Sequence, residues 1–371
     1  MSVGGQAILE GVMMRSPNSL AIAVRRASGE IVVREDRWVS IWHRARFLRK
    51  PFLRGAVVLA ESMHNGVKAL SFSANEAAAG LPVESGSVET PAGAGAGAGA
   101  GVPEPEKLSD LAIAGTLAVS LAFGFALFAA LPHFLTWLAG TVLGNASLAS
   151  GKDLSFQVVD GVIKIGILIG YMALISRMPD IKRVFQYHGA EHKSIYCYES
   201  GQPLTVDNAR RFTTLHPRCG TSFLLITVVT SIILFSIIFP LLPEVSSVKW
   251  LNQLAYVFIK LPLMFPVAGI AYEATRLSAK YPNNPIVKAF TWPGLMLQHI
   301  TTKEPDDSQL EIALVALQMT LRREQAIAGG APQPDGSDEP VVFADYATCL
   351  AGTLAPVDIT PESLAPMAMA A

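Results

Sequence analysis

Charge is scarce in this chain. Of 371 residues, 16% are Asp, Glu, Lys or Arg, where a soluble domain usually carries about 25%. Hydrophobic residues make up 51%, and the mean hydropathy is +0.38. That deficit argues against an ordinary soluble enzyme and for a membrane protein. Neither sign dominates. The net charge of -1 gives no reason to expect a nucleic-acid partner. Cysteine is almost missing: Cys197, Cys219 and Cys349 are too few and too scattered for a disulfide framework, so a reducing compartment is expected. The opening MSVGGQAILEGVMMR lacks a basic leader, and Glu10 interrupts its apolar run, so no signal peptide is expected. No repeat with a period of about 20–50 residues stands out.

What the chain has instead is long apolar runs. Crossing the hydrocarbon takes about 20 mostly apolar residues in a helix. Four stretches qualify: Leu111–Leu131, Phe156–Ser176, Thr221–Leu242 and roughly Leu251–Ala271, the last broken by Pro262 and Pro266. Lys and Arg fall unevenly around them. Residues 1–110 carry twelve, 177–220 seven and 272–371 six, while the two remaining loops hold only Lys152 and Lys249. By the positive-inside rule both termini and the 177–220 loop face the cytoplasm. The expected partner is therefore the lipid bilayer, in a multi-pass arrangement. Inside the second run, Asp160 and Lys164 lie one helical turn apart. They fit either an ion or proton path or a mutually neutralised pair near the outer interface, and the pair is the simpler expectation.

Outside the spans, residues 1–78 read as an N-terminal cytoplasmic module. SLAIAVRRASGEIVV, Ser19 to Val33, suggests a β-hairpin with Gly29 in its turn. A basic helical stretch follows from Trp42 to about Ala74. Arg44, Arg46, Arg49, Lys50 and Arg54 mix there with Trp38, Trp42, Phe47 and Phe52, a pattern suited to anionic headgroups or to a solvated face. Residues 79–107, with PAGAGAGAGAGVPEPE, form a flexible linker. Residues 108–327 hold the spans and further helices, and the Ala/Pro/Gly-rich 328–371 reads as a disordered tail. EPDDSQLEIALVALQMTLRRE predicts a helix with Ser308 and Glu311 as capping box and a stripe of Leu310, Leu314, Leu317 and Leu321. The expected fold class is mainly α: a polytopic membrane protein with about four transmembrane helices, a small N-terminal β-hairpin and cytoplasmic helices.

Chemistry concentrates in RVFQYHGAEHKSIYCYE, which holds His188, Glu191 and His192 in the order H-x-x-E-H. A helix can start near Asp180 and stop at Gly201. Ile181, Phe185, His188, His192 and Ile195 then form one stripe, with Glu191 about 60° around from His188. Two imidazoles one turn apart can close on one zinc ion, and the neighbouring carboxylate can act as general base toward a water whose pKa the metal lowers toward about 7. The reversed zincin motif of the inverzincin peptidases has this form. Two histidines do not complete a site. TLHPRCGTSF supplies His216, the best third ligand, and Cys219, with Glu199 and Glu273 as further candidates. Histidine, thiolate and carboxylate favour Zn2+ as the divalent metal, with iron and manganese as alternatives. The competing reading is a set of hydrogen-bonded structural histidines. In GGQAILEGVMMR, Gly4 and Gly5 offer bare backbone N–H groups while Gln6, Glu10 and Arg15 offer polar contacts. The segment closes over the motif helix or holds a substrate, or else is a strand and turn that only pack.

GGQAILEGVMMRSP, YHGAEHKSIYCYESGQPLTVDNARRF, HPRCGTSFL and LQHITTKEPDD together resemble the YqhQ family, from about Gly4 to Arg323 with the linker omitted. The resemblance implies a bacterial integral-membrane protein of unknown function, of a kind often labelled a metal-dependent enzyme. It places Gln6, Glu10, Arg15, His188, Glu191, His192, His216, Arg218 and Cys219 in the signature blocks. The functional expectation is a zinc-dependent hydrolase of the bacterial inner membrane, acting at its cytoplasmic face on a peptide or lipid-linked substrate. The alternatives are a non-catalytic scaffold that binds another protein, and a small transporter subunit that works as a homo-oligomer.

Overall fold

The computed structural model describes residues 3–38, 50, 53–79, 110–281, 284–330 and 339–352. Strands β1 (Gly4–Ile8), β2 (Gly11–Arg15), β3 (Ser19–Arg25) and β4 (Ile31–Arg37) come first, followed by helix α1 (Leu53–Ala79). Next are α2 (Asp110–Phe125), a π-helical turn at Ala126–Ala130, α3 (Leu131–Val142), the short α4 (Ala146–Ala149) and α5 (Leu154–Ile175). Then come α6 (Pro179–Glu199), α7 (Val206–Arg210), α8 (Gly220–Ile238) and α9 (Lys249–Lys280). The chain continues through α10 (Pro285–Thr301) and α11 (Asp307–Ala328) to β5 (Val341–Phe343) and α12 (Tyr346–Gly352). The basic start of the helical stretch at 42–52, Lys50 excepted, and the linker from residue 80 lie outside the described residues.

The expected hairpin is the centre of a larger sheet. All five strands pair antiparallel in the order β1-β2-β3-β4-β5. Gly29 occupies the β3–β4 turn with φ +93°, a conformation that glycine adopts without a side-chain penalty. Side chains alternate between two buried faces. Val12, Met14, Ala21, Ala23, Ile31 and Val33 share a core with α6 and α11. Ile8, Met13, Leu20, Ile22 and Val24 share another with Ala69 of α1 and Trp38. A sheet covered on both faces must be apolar in both registers, which is why SLAIAV shows no polar alternation.

The tail expectation needs correction. Val341–Phe343 pairs with Ile31–Val33 of β4, and Phe343 and Cys349 are buried in the α6/α11 core. Three β-prone residues ending in an aromatic outweigh the surrounding Ala/Pro/Gly composition. Residues 331–338 and 353–371 lie outside the described residues.

Four stretches are long and apolar enough to cross a membrane: Ala118–Val142, Leu154–Ile175, Gly220–Leu241 and Lys249–Ser278. The first runs past the expected end at Leu131 into α3. Its π turn sits just before Pro132, whose ring would otherwise strike a carbonyl one turn back. The fourth is not broken at Pro262 or Pro266, since α9 continues through both.

Between the spans the polar side chains find one another. Lys164 and Lys260 both donate to Asp160 at 3.2 Å. Lys260 Nζ also donates to His133 Nδ1 at 3.1 Å. The proton that leaves on His133 Nε2 is donated to Gln253 Oε1 at 2.9 Å, and Gln253 Nε2 donates to the Ala149 carbonyl at 3.0 Å. The pair seen in the sequence is thus part of a buried chain joining α3, α5 and α9.

The sheet, α6 and α11 lie at the opposite end of the spans from the 143–153 and 242–248 loops. Helix α11 starts two residues earlier than the proposed box. Asp306 is the N-cap, the Gln309 N–H donates to its side chain at 2.9 Å, and the Asp306 N–H donates back to Gln309 Oε1 at 3.0 Å. Its sheet-facing stripe, Leu310, Leu314, Leu317 and Leu321, is buried as the periodicity implies.

Candidate metal centre

Helix α6 begins after Met178, with Pro179 in its first turn. Asp180, expected near the N-cap, is instead inside that turn, where its charge suits the helix dipole. Gly201, at φ +69°, ends the helix, and its N–H donates to the Tyr198 carbonyl at 3.0 Å. The second half is enclosed on nearly every side. Tyr187, Ala190, Glu191, His192, Ser194, Ile195, Cys197 and Tyr198 are all buried. One flank carries β1 and β2, and another carries the connector between α10 and α11.

That enclosure requires two glycines. A Cβ on Gly189 would lie 2.1 Å from the Lys303 carbonyl oxygen, and one on Gly5 would lie 2.9 Å from the Glu191 carboxyl carbon. Gly189 therefore lets the α10–α11 connector cross the helix, and Gly5 lets β1 close over Glu191.

Both motif histidines are held by backbone carbonyls. His188 Nδ1–H donates to the Thr301 carbonyl at 2.8 Å. His192 Nδ1–H donates to the Thr214 carbonyl. These bonds place the protons on Nδ1 and the lone pairs on Nε2, the usual outer support of a metal-binding imidazole. His188 Nε2 lies 3.1 Å from Cys219 Sγ. His192 Nε2 is buried with no hydrogen-bond partner. The donor atoms of His188, His192 and Cys219 all lie within 4.8 Å of one another.

His216 does not join that group, although the sequence made it the best third ligand. The Arg218 backbone N–H donates to His216 Nδ1 at 3.3 Å. A neutral ring must then carry its proton on Nε2, the nitrogen that faces Glu199 at 3.5 Å. Cys219, by contrast, brings its sulfur to the two motif histidines. It caps α8, accepting from the Thr221 N–H at 3.4 Å, and so is fixed where the third span begins.

Helix α7 ends at Arg210, and the irregular chain beyond it supplies the Thr214 carbonyl. Gln298 of α10 fixes that path. Its Oε1 accepts from the His216 N–H, and its Nε2 donates to the His216 carbonyl, both at 2.8 Å. Sequence reasoning missed Gln298, Thr301 and Thr214. Gln298 and Thr301 lie in LQHITTKEPDD, a block quoted for its resemblance alone, and Thr214 opens TLHPRCGTSF.

The remaining candidates have other contacts. Glu10, at the β1–β2 turn with φ +49°, forms an ion pair with Arg183 and accepts from Tyr187 Oη at 3.3 Å, fastening the hairpin to α6. Gln6 packs against Gly66 of α1. Arg15 lies over the Trp38 ring at 4.6 Å. Arg218 pairs with Glu199. Glu273 pairs with Arg54 at 2.5 and 2.6 Å, at the junction of α9 with α1.

Burial sets the electrostatics. It raises the Glu191 carboxyl above the ordinary 4.5, with His188, His216 and a bond from the Gly5 backbone pulling the other way. His192 is pushed below 6.5 by burial despite its Cys219 and Thr214 contacts, and burial likewise lowers His216. Neutral imidazoles are the ligand form. Two imidazole nitrogens and a thiol are a donor set of the kind that three-ligand zinc sites use.

The comparisons with known proteins agree on family and are silent on activity. Residues 50–323 match the family described as Protein of unknown function (DUF1385). The chain is 34% identical over 333 residues to "Uncharacterized protein YqhQ" of Bacillus subtilis (strain 168), covering 86% of this chain and 92% of that one. No solved structure matches. The extent of both matches, over the spans and the H-x-x-E-H helix together, makes this chain a member of the YqhQ family of proteins of unknown function.

Proposed function

We propose that the protein is a zinc-dependent hydrolase whose site opens at the cytoplasmic face of the bacterial inner membrane. The observation that carries this reading is the convergence of three donors with an unpartnered buried lone pair at its centre. A buried polar atom without a partner costs roughly 1–3 kcal/mol, and a cation at that point removes the cost. His188 Nε2, His192 Nε2 and Cys219 Sγ would hold zinc. When bound, the ion supplies Lewis acidity and lowers the pKa of water.

The chain's own groups do the rest. Thr301 and Thr214 hold the imidazoles in the ligand tautomer. The Gly5 N–H orients the Glu191 carboxylate, which takes the proton of the attacking water on a carboxylate oxygen. Its raised pKa makes it a stronger base than a solvated glutamate. The cytoplasmic assignment is supported by the Lys and Arg distribution, because the flanking segments rich in Lys and Arg share the site's end of the spans.

The test is metal analysis of purified protein beside a His188/His192 double substitution, with hydrolysis assays on Glu191→Gln. The reading predicts about one zinc per chain, lost in the double variant, and hydrolysis lost in Glu191→Gln with zinc retained. Protein without stoichiometric metal, together with a fully functional His188→Ala in cells, would leave a scaffold that binds another protein.

A further inference from the structure

Beside the metal centre lies a cavity of about 650 Å3, within the range of about 300–1,000 Å3 typical of ligand sites. Its two walls differ. Glu199, His216 and Arg218 form a polar wall, while Val287, Trp292 and Leu295 of α10 form an apolar one. Ser278, the last residue of the fourth apolar stretch, lines it as well, so the cavity lies level with the end of the hydrocarbon layer. Helix α10 presents Ile286 and Trp292 outward, 78% and 59% exposed, as expected of a helix bathed in interfacial lipid.

Two further features point to a ligand. His216 is 4% exposed, and its Nε2 makes no hydrogen bond, with the Glu199 carboxylate 3.5 Å away. Arg218 pairs with Glu199 on the polar wall, and Lys288 lines the cavity as well, so two cations face one carboxylate and the net charge in it favours an anion.

We infer that this cavity binds a membrane lipid with an anionic phosphate head. Arg218, Lys288 and His216 receive the phosphate, and an acyl chain runs along Trp292 and Leu295 into the bilayer. As a binding site this stands apart from the metal. As the identity of the substrate, a lipid whose ester lies beside the three donors, it rests on the hydrolase reading.

The experiment is native mass spectrometry of the full chain in mild detergent, with and without prior chelation. The probes are phosphatidylglycerol, phosphatidylcholine and soluble glycerol phosphate. One phosphatidylglycerol should remain per chain, with phosphatidylcholine at least tenfold weaker and glycerol phosphate undetected. Leu295→Arg should weaken phosphatidylglycerol at least tenfold. Trp292→Ala, at an exposed position, should weaken it too and guards against a misfolded Leu295→Arg. Arg218→Gln with Lys288→Gln should reduce phosphatidylglycerol to the phosphatidylcholine level. Equal retention of the two lipids by the parent, unchanged retention in both α10 variants, or glycerol phosphate bound as tightly as the lipid would overturn the proposal. Retention by protein that carries no zinc before chelation would sink the hydrolase reading and leave the lipid site standing.

Discussion

Among the described residues, one cluster of buried polar side chains between the spans contrasts with another at their end. In the first, Asp160, Lys164, Lys260, His133 and Gln253 satisfy one another in a continuous chain. In the second, His188 and His192 have their outer nitrogens satisfied, while His192 Nε2 faces inward with no partner. Both clusters cost desolvation. Only the second leaves lone pairs aimed at a common point. A saturated network holds helices together, and an unsaturated one has capacity left for a ligand. The intramembrane charges, which on sequence alone fitted an ion path or, more simply, a neutralised pair, are part of such a saturated network.

The largest separation between the two regions should appear in metal content. His188→Ala, His192→Ala or Cys219→Ala should each lower zinc from about one per chain to less than a tenth of that, read by elemental analysis, whereas Asp160→Asn should retain full zinc per folded chain. Equal content in all four variants would erase the distinction. Stability should respond the other way. Asp160→Asn leaves two buried ammonium groups without their counter-charge and should cost about 3–5 kcal/mol, measured by denaturant unfolding in detergent. If it unfolds like the parent, the network is no clamp.

Gly189→Ala forces a methyl into the Lys303 carbonyl and should cost about 1–3 kcal/mol, with part of the zinc lost because the Thr301 carbonyl is carried on the same connector. Retained stability and retained zinc together would show that the crossing is loose.

The smallest effect is in pH. His192 and His216 titrate below the ordinary 6.5 because they are buried, so the unfolded chain takes up protons first. Chelated protein should lose stability as pH falls from about 6.5 through the lower folded values. Glu191, raised by burial, contributes with the opposite sign: its share is present below 4.5 and is lost as pH rises through its folded value. His216→Asn should flatten the acid limb, and an unchanged limb would assign it to other groups.

The local features of the fold were legible in the residues. The motif helix, its Gly201 stop, the Ser19–Val33 hairpin and four apolar runs all follow from periodicity and turn chemistry. What escaped was set by distant partners. The course of residues 211–219 is held by Gln298, and the sequence ranked His216 first, whereas it is Cys219 whose sulfur comes to lie with the two motif histidines. Lys260 lies in an apolar run and makes sense only when Asp160 is opposite it. The strands at Gly4–Ile8 and Val341–Phe343 are short, and each is a strand because the sheet already has an edge to extend. Gly5 was read only as a bare backbone N–H, and its role emerged once Glu191 stood behind it.

The sheet's construction also dictates how the chain is assembled. Residues 4–33 are packed beneath a helix that begins at Asp307, and the fifth strand follows that helix. All four bilayer crossings are translated between them. The amino-terminal strands therefore leave the ribosome long before their cover exists and wait, half-clothed, through every insertion event. Completion of this domain reports that the whole chain has been threaded, and a span inserted backwards would strand the two halves on opposite sides of the membrane.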